Sequence, residues 1–233
     1  EVLFLALFNT PSCWKTCLLK VHEVASNRAT KKRPITIAHH IVRANGDWHF
    51  FRFQHRLAGG SGRRMGDGPL HELTDEGLRY TLDLNLNSIL LSNRAAVKQF
   101  MKQGGGGVIL NMGSVLGWSP SPEFFASHAY AAAKAGIIGF SKSIASYYAP
   151  QNIRVNVIAP ALVETPMSQR AVGSEDIQRF IAAKQPLDGG RVGAAQDVEG
   201  AALFLLSRAA NFITGQVLAV DGGWTVSEGR MKQ

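Results

Sequence analysis

Tyr130 and Lys134 stand four residues apart in Tyr130-Ala131-Ala132-Ala133-Lys134. If that segment opens a helix, side chains at i and i+4 share a face, with Cβ atoms about 5–6 Å apart. A free phenol titrates near pH ~10 and is a poor base at neutrality. A neighbouring ammonium favours the phenolate and lowers that value. Each pH unit of lowering corresponds to about 1.4 kcal/mol, so about two or three would bring the tyrosine into working range. Ser114, just past the apolar run Val108–Met112, could donate a hydrogen bond to a substrate oxygen where negative charge develops. As a plain turn residue it would need no such role.

The elements that must position these groups are legible from residue 70 onward. Thr74 can cap a helix whose first turn carries Asp75 and Glu76. Leu82, Leu86, Ile89, Leu90 and Val97 give that helix an apolar stripe running towards Gln103. Gly104–Gly107 ends it; four glycines resemble a phosphate cradle, but no helix follows, so they read as a turn. Val108–Met112 and Arg154–Ala159 read as buried strands, with Pro160 stopping the second. Helices are predicted from about His128 to Tyr148, from the cap at Ser174-Glu175-Asp176, and over Asp197–Leu206, with a last strand at Gln216–Val220. This alternation implies an α/β fold, a doubly wound parallel sheet with helices on both faces. Its chemistry should gather beyond the carboxyl ends of the strands, in segments 112–117, 160–167 and about 56–64.

The chain has 233 residues, enough to bury a substantial core, and no apolar run long enough to span a bilayer. The opening run Val2–Phe8 reads as a buried strand rather than a signal peptide, and position 1 is Glu, so the true start is expected upstream. Cys13 and Cys17, the two cysteines, are too few for a disulfide framework. With His22, His39 and His40 nearby they match no familiar zinc spacing, so no metal is assigned and free thiols in a reducing, cytoplasmic setting are expected. The net charge of +8 lies wholly within residues 1–64, which hold eleven basic side chains against three acids. That stretch shows no helix-turn-helix, zinc finger or regular basic face, so nucleic-acid binding is set aside for a solvated segment. Residues 1–56 also hold five of the seven histidines but neither a convincing helix face nor a glycine loop, only scattered runs at Val2–Phe8, Ile35–Ala38 and Phe50–Phe53.

Taken together, these motifs resemble the short-chain dehydrogenase/reductase family over about residues 58–228. Asn111-Met112-Gly113-Ser114-Val115 is similar to the family's strand-end serine segment, and Tyr130–Lys134 to its Tyr-x-x-x-Lys. Asn85 falls where the family keeps a helix asparagine. Arg154–Pro160 followed by Glu164-Thr165-Pro166-Met167 resembles its nicotinamide-side loop, and Phe212–Gly223 its C-terminal signature. Within the family the resemblance is generic, comparable to 3-oxoacyl-acyl-carrier-protein reductases and many alcohol or sugar dehydrogenases. It implies a Rossmann-like fold and hydride transfer between NAD or NADP and a small-molecule carbonyl or alcohol. Tyr130 would move the proton, Lys134 would tune the tyrosine and hold the nicotinamide ribose, and Ser114 would polarise the carbonyl. Asn85 would hold a relay water. Ala58, Gly59, Pro160, Val163 and Thr165 would contact the cofactor, Val163 and Thr165 at its carboxamide. A homodimer or homotetramer off the membrane is implied as well.

Departures from the family pattern are informative. Ala161 replaces the usual glycine after Pro160. Ser114 and Tyr130 stand further apart than is commonest, so the loop Trp118–His128 should shape the pocket, with Trp118, Phe124, Phe125 and His128 facing a fairly apolar substrate. The family's Asn-Asn-Ala-Gly appears as Arg56-Leu57-Ala58-Gly59, and no pyrophosphate loop precedes it. Residues 1–57 therefore read as a truncated, replaced or frame-shifted segment in place of the usual cofactor-binding half, and 58–233 as the catalytic part. Loss of the first strands would bare a long sheet edge, giving an aggregating chain or one that binds dinucleotide poorly. A catalytically inactive chain acting as an interaction module is the alternative reading.

Overall fold

A computed structural model describes residues 36–44, 47–54, 68–165 and 168–228, with backbone alone for 36–54 and for 169–170. Strands β1 (Thr36–Ala44), β2 (Asp47–Gln54), β3 (Gly107–Met112), β4 (Ile153–Pro160) and β5 (Val217–Val220) form one sheet in the order β2-β1-β3-β4-β5. β3, β4 and β5 run parallel, as short apolar strands separated by helices must.

The N-terminal side corrects an expectation. The edge of β3 is not bare: β1 pairs with it antiparallel, from His40 opposite Asn111 to Arg43 opposite Val108, and β2 pairs antiparallel with β1. The sheet is therefore mixed, three parallel strands extended by a hairpin. A backbone edge accepts any strand of adequate length, in either sense. Thr36–Ala38, from the run read at Ile35–Ala38, and Phe50–Phe53 supply β-branched and aromatic residues to these strands. The two residues between the strands are Asn45-Gly46, the strongest short-range hairpin signal a sequence can carry.

The helices follow the predicted pattern. α1 (Asp75–Leu82) begins where the Thr74 hydroxyl accepts from the Gly77 N–H at 3.1 Å. It passes through a π-helical turn, Asp83–Asn87, into α2 (Ser88–Gln103). Gly104 and Gly106 adopt left-handed backbone and lead directly into β3, a turn and not a phosphate cradle. α3 spans His128–Tyr148, α4 Gln169–Val172, α5 Glu175–Lys184 and α6 Ala195–Leu206.

Alternation along β3 and β4 divides the core. Ile109, Ile153 and Val155 pack with Ala96, Val97, Phe100 and Ala145 of α2 and α3, and Val157 packs with Ile89 and Ile137. On the other face Val108, Leu110 and Ile158 meet Leu205 and Leu206 of α6. Arg154 points the same way, donating to the carbonyls of Leu205, Ser207 and Ile213, the natural cation position at a helix C-terminus.

One polar cluster interrupts the α2–α3 side. Asn93 and Asn111 exchange amide hydrogen bonds at 2.9 and 3.0 Å, and Asn111 also donates to the Ser141 hydroxyl at 2.9 Å. All three residues are buried. The cluster ties α2, β3 and α3 together just below Met112 and Ser114, so it sets the height of the strand end. Asn93→Ala leaves the Asn111 amide half-satisfied in a dry core, and we expect it to cost about 2 kcal/mol of unfolding free energy in urea melts. A loss below about 0.5 kcal/mol would mean that the pair is dispensable.

Among the described residues no helix is long and apolar enough to cross a membrane, and no group of three or more His, Cys, Asp or Glu side chains is placed to hold a metal ion. The zinc reading at Cys13, Cys17 and His22, and the strand read at Val2–Phe8, lie outside the described residues.

Candidate active site

The carboxyl end of β3 delivers the first group. Gly113 donates to the Ile158 carbonyl at 2.8 Å, holding the exit of β3 against β4. Ser114 then leaves the sheet in extended conformation and caps the short turn Val115–Gly117, its Oγ accepting from the Leu116 N–H at 3.2 Å. That bond uses a lone pair, so the hydroxyl hydrogen is left to be donated. Ser114 is buried, and the turn it caps lies directly on α3. A Cβ added to Gly117 would fall 3.0 Å from the Ala135 nitrogen and 3.1 Å from the Lys134 carbonyl carbon. Gly117→Ala must therefore push the Ser114 turn away from α3 by a few tenths of an ångström. We expect kcat to fall about tenfold, since misplacement of order 1 Å costs about a hundredfold. Unchanged turnover would show that this contact does not set the geometry.

α3 delivers the second and third. Lys134 is 3% exposed, and its Nζ donates to the Met112 carbonyl at 3.0 Å, bridging α3 to the end of β3. Nζ also lies 5.2 Å from the centroid of the Tyr130 ring, the cation facing the negative side of the aromatic quadrupole. Burial disfavours the charged ammonium and pulls its pKa from 10.5 down to about 8. Ser114, Tyr130 and Lys134 are thus gathered at one end of the sheet: Met112 before Ser114 and Gly117 after it both touch Lys134 or its backbone.

Asn85 lies in the π-helical turn, its Nδ2 donating to the Thr81 carbonyl at 3.0 Å. The next residue, Leu86, reaches within 3.2 Å of where a Cβ on Gly136 would stand, so this turn packs on α3 two residues beyond Lys134. Single π turns inside helices recur at functional sites because they displace one side chain from the regular stripe.

The other wall comes from β4. After Pro160 the chain continues through Ala161 and Leu162, which pack with Val115, Ile177, Ile181 and Trp224. Val163 forms a parallel bridge with Gly193: Gly193 donates to the Leu162 carbonyl at 3.0 Å and Glu164 donates to the Gly193 carbonyl at 2.8 Å. Alternation then turns the Val163 peptide groups to the opposite side. Ser168 fastens the end of this segment. Its hydroxyl donates to the Val163 carbonyl at 2.7 Å and accepts from the Thr165 N–H at 2.8 Å, and the Thr165 hydroxyl lies 3.2 Å from it. Pro166, Met167, Ala58 and Gly59 lie outside the described residues, as does the segment 56–64.

The loop after Trp118 folds against α5. Phe124 packs at a tilt on Phe180 with centroids 5.1 Å apart, Phe125 meets Trp224 edge-on at 6.0 Å, and the Trp224 Nε1 donates to the Ser119 carbonyl at 3.1 Å. Phe124 and Phe125 therefore join a packed aromatic cluster, while Trp118 and His128 are exposed, His128 as the first residue of α3. The sequence reading passed over Trp224, Ser168 and Gln185; only Trp224 carried a signal, as a large aromatic straight after the Asp221-Gly222-Gly223 turn.

Residues 36–225 match the family described as Enoyl-(Acyl carrier protein) reductase. The chain belongs to the short-chain dehydrogenase/reductase family. The cis-4-hydroxycyclohexanecarboxylate dehydrogenase of Sinomonas cyclohexanicum is 38% identical over 157 residues, covering 67% of this chain and 60% of that relative. The 3-oxoacyl-[acyl-carrier-protein] reductase of Escherichia coli K12 is 41% identical over 157 residues, covering 67% and 61%. A solved structure of 4-hydroxyisoleucine dehydrogenase complexed with NADH superposes with a TM-score of 0.66 at 30% identity, covering 72% of this chain and 67% of that one. The chain thus spans about three fifths of the length of these curated relatives.

Proposed function

We propose that the protein is an NAD(P)-dependent oxidoreductase acting on a small carbonyl or alcohol. The observation that carries this reading is the buried Lys134 ammonium, placed between the Met112 carbonyl and the Tyr130 ring beside the Ser114 turn. A buried cation costs free energy unless something is gained from it, and here its neighbours are a phenol and a strand-end hydroxyl.

The described residues fit the nicotinamide half of the cofactor. One of the three Lys134 ammonium hydrogens goes to Met112, and the other two suit the ribose hydroxyls. The Val163 N–H, turned away from Gly193, suits the carboxamide, with Thr165 beside it. The first 56 residues offer no glycine loop for the pyrophosphate. NAD(P)H when bound supplies the hydride.

In reduction, the Ser114 hydroxyl donates a hydrogen bond to the substrate carbonyl oxygen and orients it. Tyr130 passes its phenolic proton to the same oxygen as charge develops there, and the Lys134 ammonium steadies the phenolate left behind. Asn85 would hold a water that links Lys134 to solvent, from which the proton given up by Tyr130 is replaced. Oxidation of an alcohol runs the same steps backwards, with Tyr130 accepting the proton.

A second reading is favoured by residues 1–56, in which no glycine loop is found. On that reading the chain binds dinucleotide poorly and acts as an inactive interaction module. Titration with NADH and NADPH, followed by nicotinamide fluorescence, and turnover of a panel of ketones and 3-oxoacyl thioesters decide between them. Saturable binding with turnover is expected; no binding of either dinucleotide leaves the inactive reading.

A further inference from the structure

Leu162 precedes the residue whose backbone would meet the nicotinamide carboxamide, and an unrelated side chain holds it. The Gln185 Oε1 accepts from the Leu162 N–H at 2.9 Å, and its Nε2 donates to the Leu162 carbonyl at 3.3 Å. Gln185 is 3% exposed and sits where the chain leaves α5, its own N–H donating to the Ile181 carbonyl at 2.7 Å. The primary amide therefore acts as a one-residue strand, offering Leu162 the acceptor and donor that a neighbouring strand would offer.

Two further contacts fix this side chain. A Cβ on Gly222, whose φ is +58°, would stand 3.2 Å from the Gln185 Cβ, close enough that Gln185 would have to shift by a few tenths of an ångström. The Leu187 N–H donates to the Gly222 carbonyl at 3.0 Å, closing the same corner. With Gly193 also bonded to the Leu162 carbonyl, both polar groups of Leu162 are saturated from one side. The orientation of the next peptide, that of Val163, follows from this.

We infer that Gln185 is a positioning residue for the cofactor: through Leu162 it aims the Val163 main chain at the nicotinamide ring. This rests on the reading above and adds a determinant of cofactor affinity outside the Ser114, Tyr130, Lys134 and Asn85 set. Gln185 acts through Leu162 rather than on a ligand, so its effect should appear only for ligands that carry the nicotinamide.

The test uses the full chain and two probes, NADH or NADPH and the matching ADP-ribose or its 2′-phosphate, which lacks the nicotinamide. Gln185→Met fills the same volume without the two hydrogen bonds. We expect it to raise the dissociation constant and KM for the reduced dinucleotide about tenfold, a hydrogen bond's worth of alignment. Binding of the ADP-ribose probe and kcat at saturation should stay within about twofold. Gln185→Glu keeps the acceptor for the Leu162 N–H and should restore part of the lost affinity. Equal weakening of both probes, or no change with either, overturns the inference while leaving the proposed function standing. If the parent chain binds no reduced dinucleotide, the proposed function falls and the inference with it.

Discussion

Replacing Tyr130 by Phe is expected to lower kcat/KM for carbonyl reduction by about 10²–10⁴-fold, the range that positioned acid–base catalysis contributes. On the proposed reading the phenol hands over the proton, and only its oxygen is removed. The ring that Lys134 faces at 5.2 Å stays, as does the helix that carries it. kcat and kcat/KM should fall together, because the lost interaction is made in the transition state rather than in substrate binding. The affinity for NADH or NADPH should change less than threefold, and the thermal midpoint by no more than a few degrees. Steady-state kinetics beside a dinucleotide titration measures both. A loss under tenfold would place the proton donor elsewhere, and Ser114 would be the next residue to replace.

Much of this site was readable because its spacing is local. Tyr130 and Lys134 are four residues apart on a helix whose bounds, His128–Tyr148, follow from composition alone. Thr74 and Ser174 announce α1 and α5 through the hydroxyl caps that the structure contains. Strand pairing is not local. Nothing in the sequence of Thr36–Ala44 tells which edge it will meet or in which sense, so the pairing that covers β3 is not legible there, although Asn45-Gly46 between the two runs is a hairpin signal. The π-helical turn at Asp83–Asn87 is one turn long, too short to be told from α-helix by periodicity, yet it is where Asn85 sits. Gln185 lies 23 residues from Leu162, and a glutamine before a proline reads as a solvated loop residue until a buried backbone is found beside it. The Asn93–Asn111 exchange is hidden for the same reason: each asparagine alone resembles a cap or turn residue.

Lys134→Met is expected to make the protein more stable at pH 7 and to cost it at least about 10² in kcat/KM. The stability half follows from burial. Desolvation holds the Lys134 pKa at about 8, below the 10.5 of the unfolded chain. Between those values the unfolded chain binds more protons than the folded one, so stability rises with pH across that window. Below about pH 8 the folded state carries the full penalty, about 3 kcal/mol at 1.4 kcal/mol per pH unit. Methionine removes that penalty but leaves the Met112 carbonyl without its donor, worth about 1 kcal/mol. The net gain at pH 7 is then about 2 kcal/mol, and it should vanish towards pH 10.5, where the parent lysine is neutral. Urea melts of both proteins at pH 7 and pH 10 isolate the effect, since every other titrating group is common to the two. A parent chain at least as stable as the variant at pH 7 would mean that the ammonium is not buried as described. The expected opposite signs, stability up and turnover down, identify Lys134 as a cation kept for chemistry at the expense of the fold.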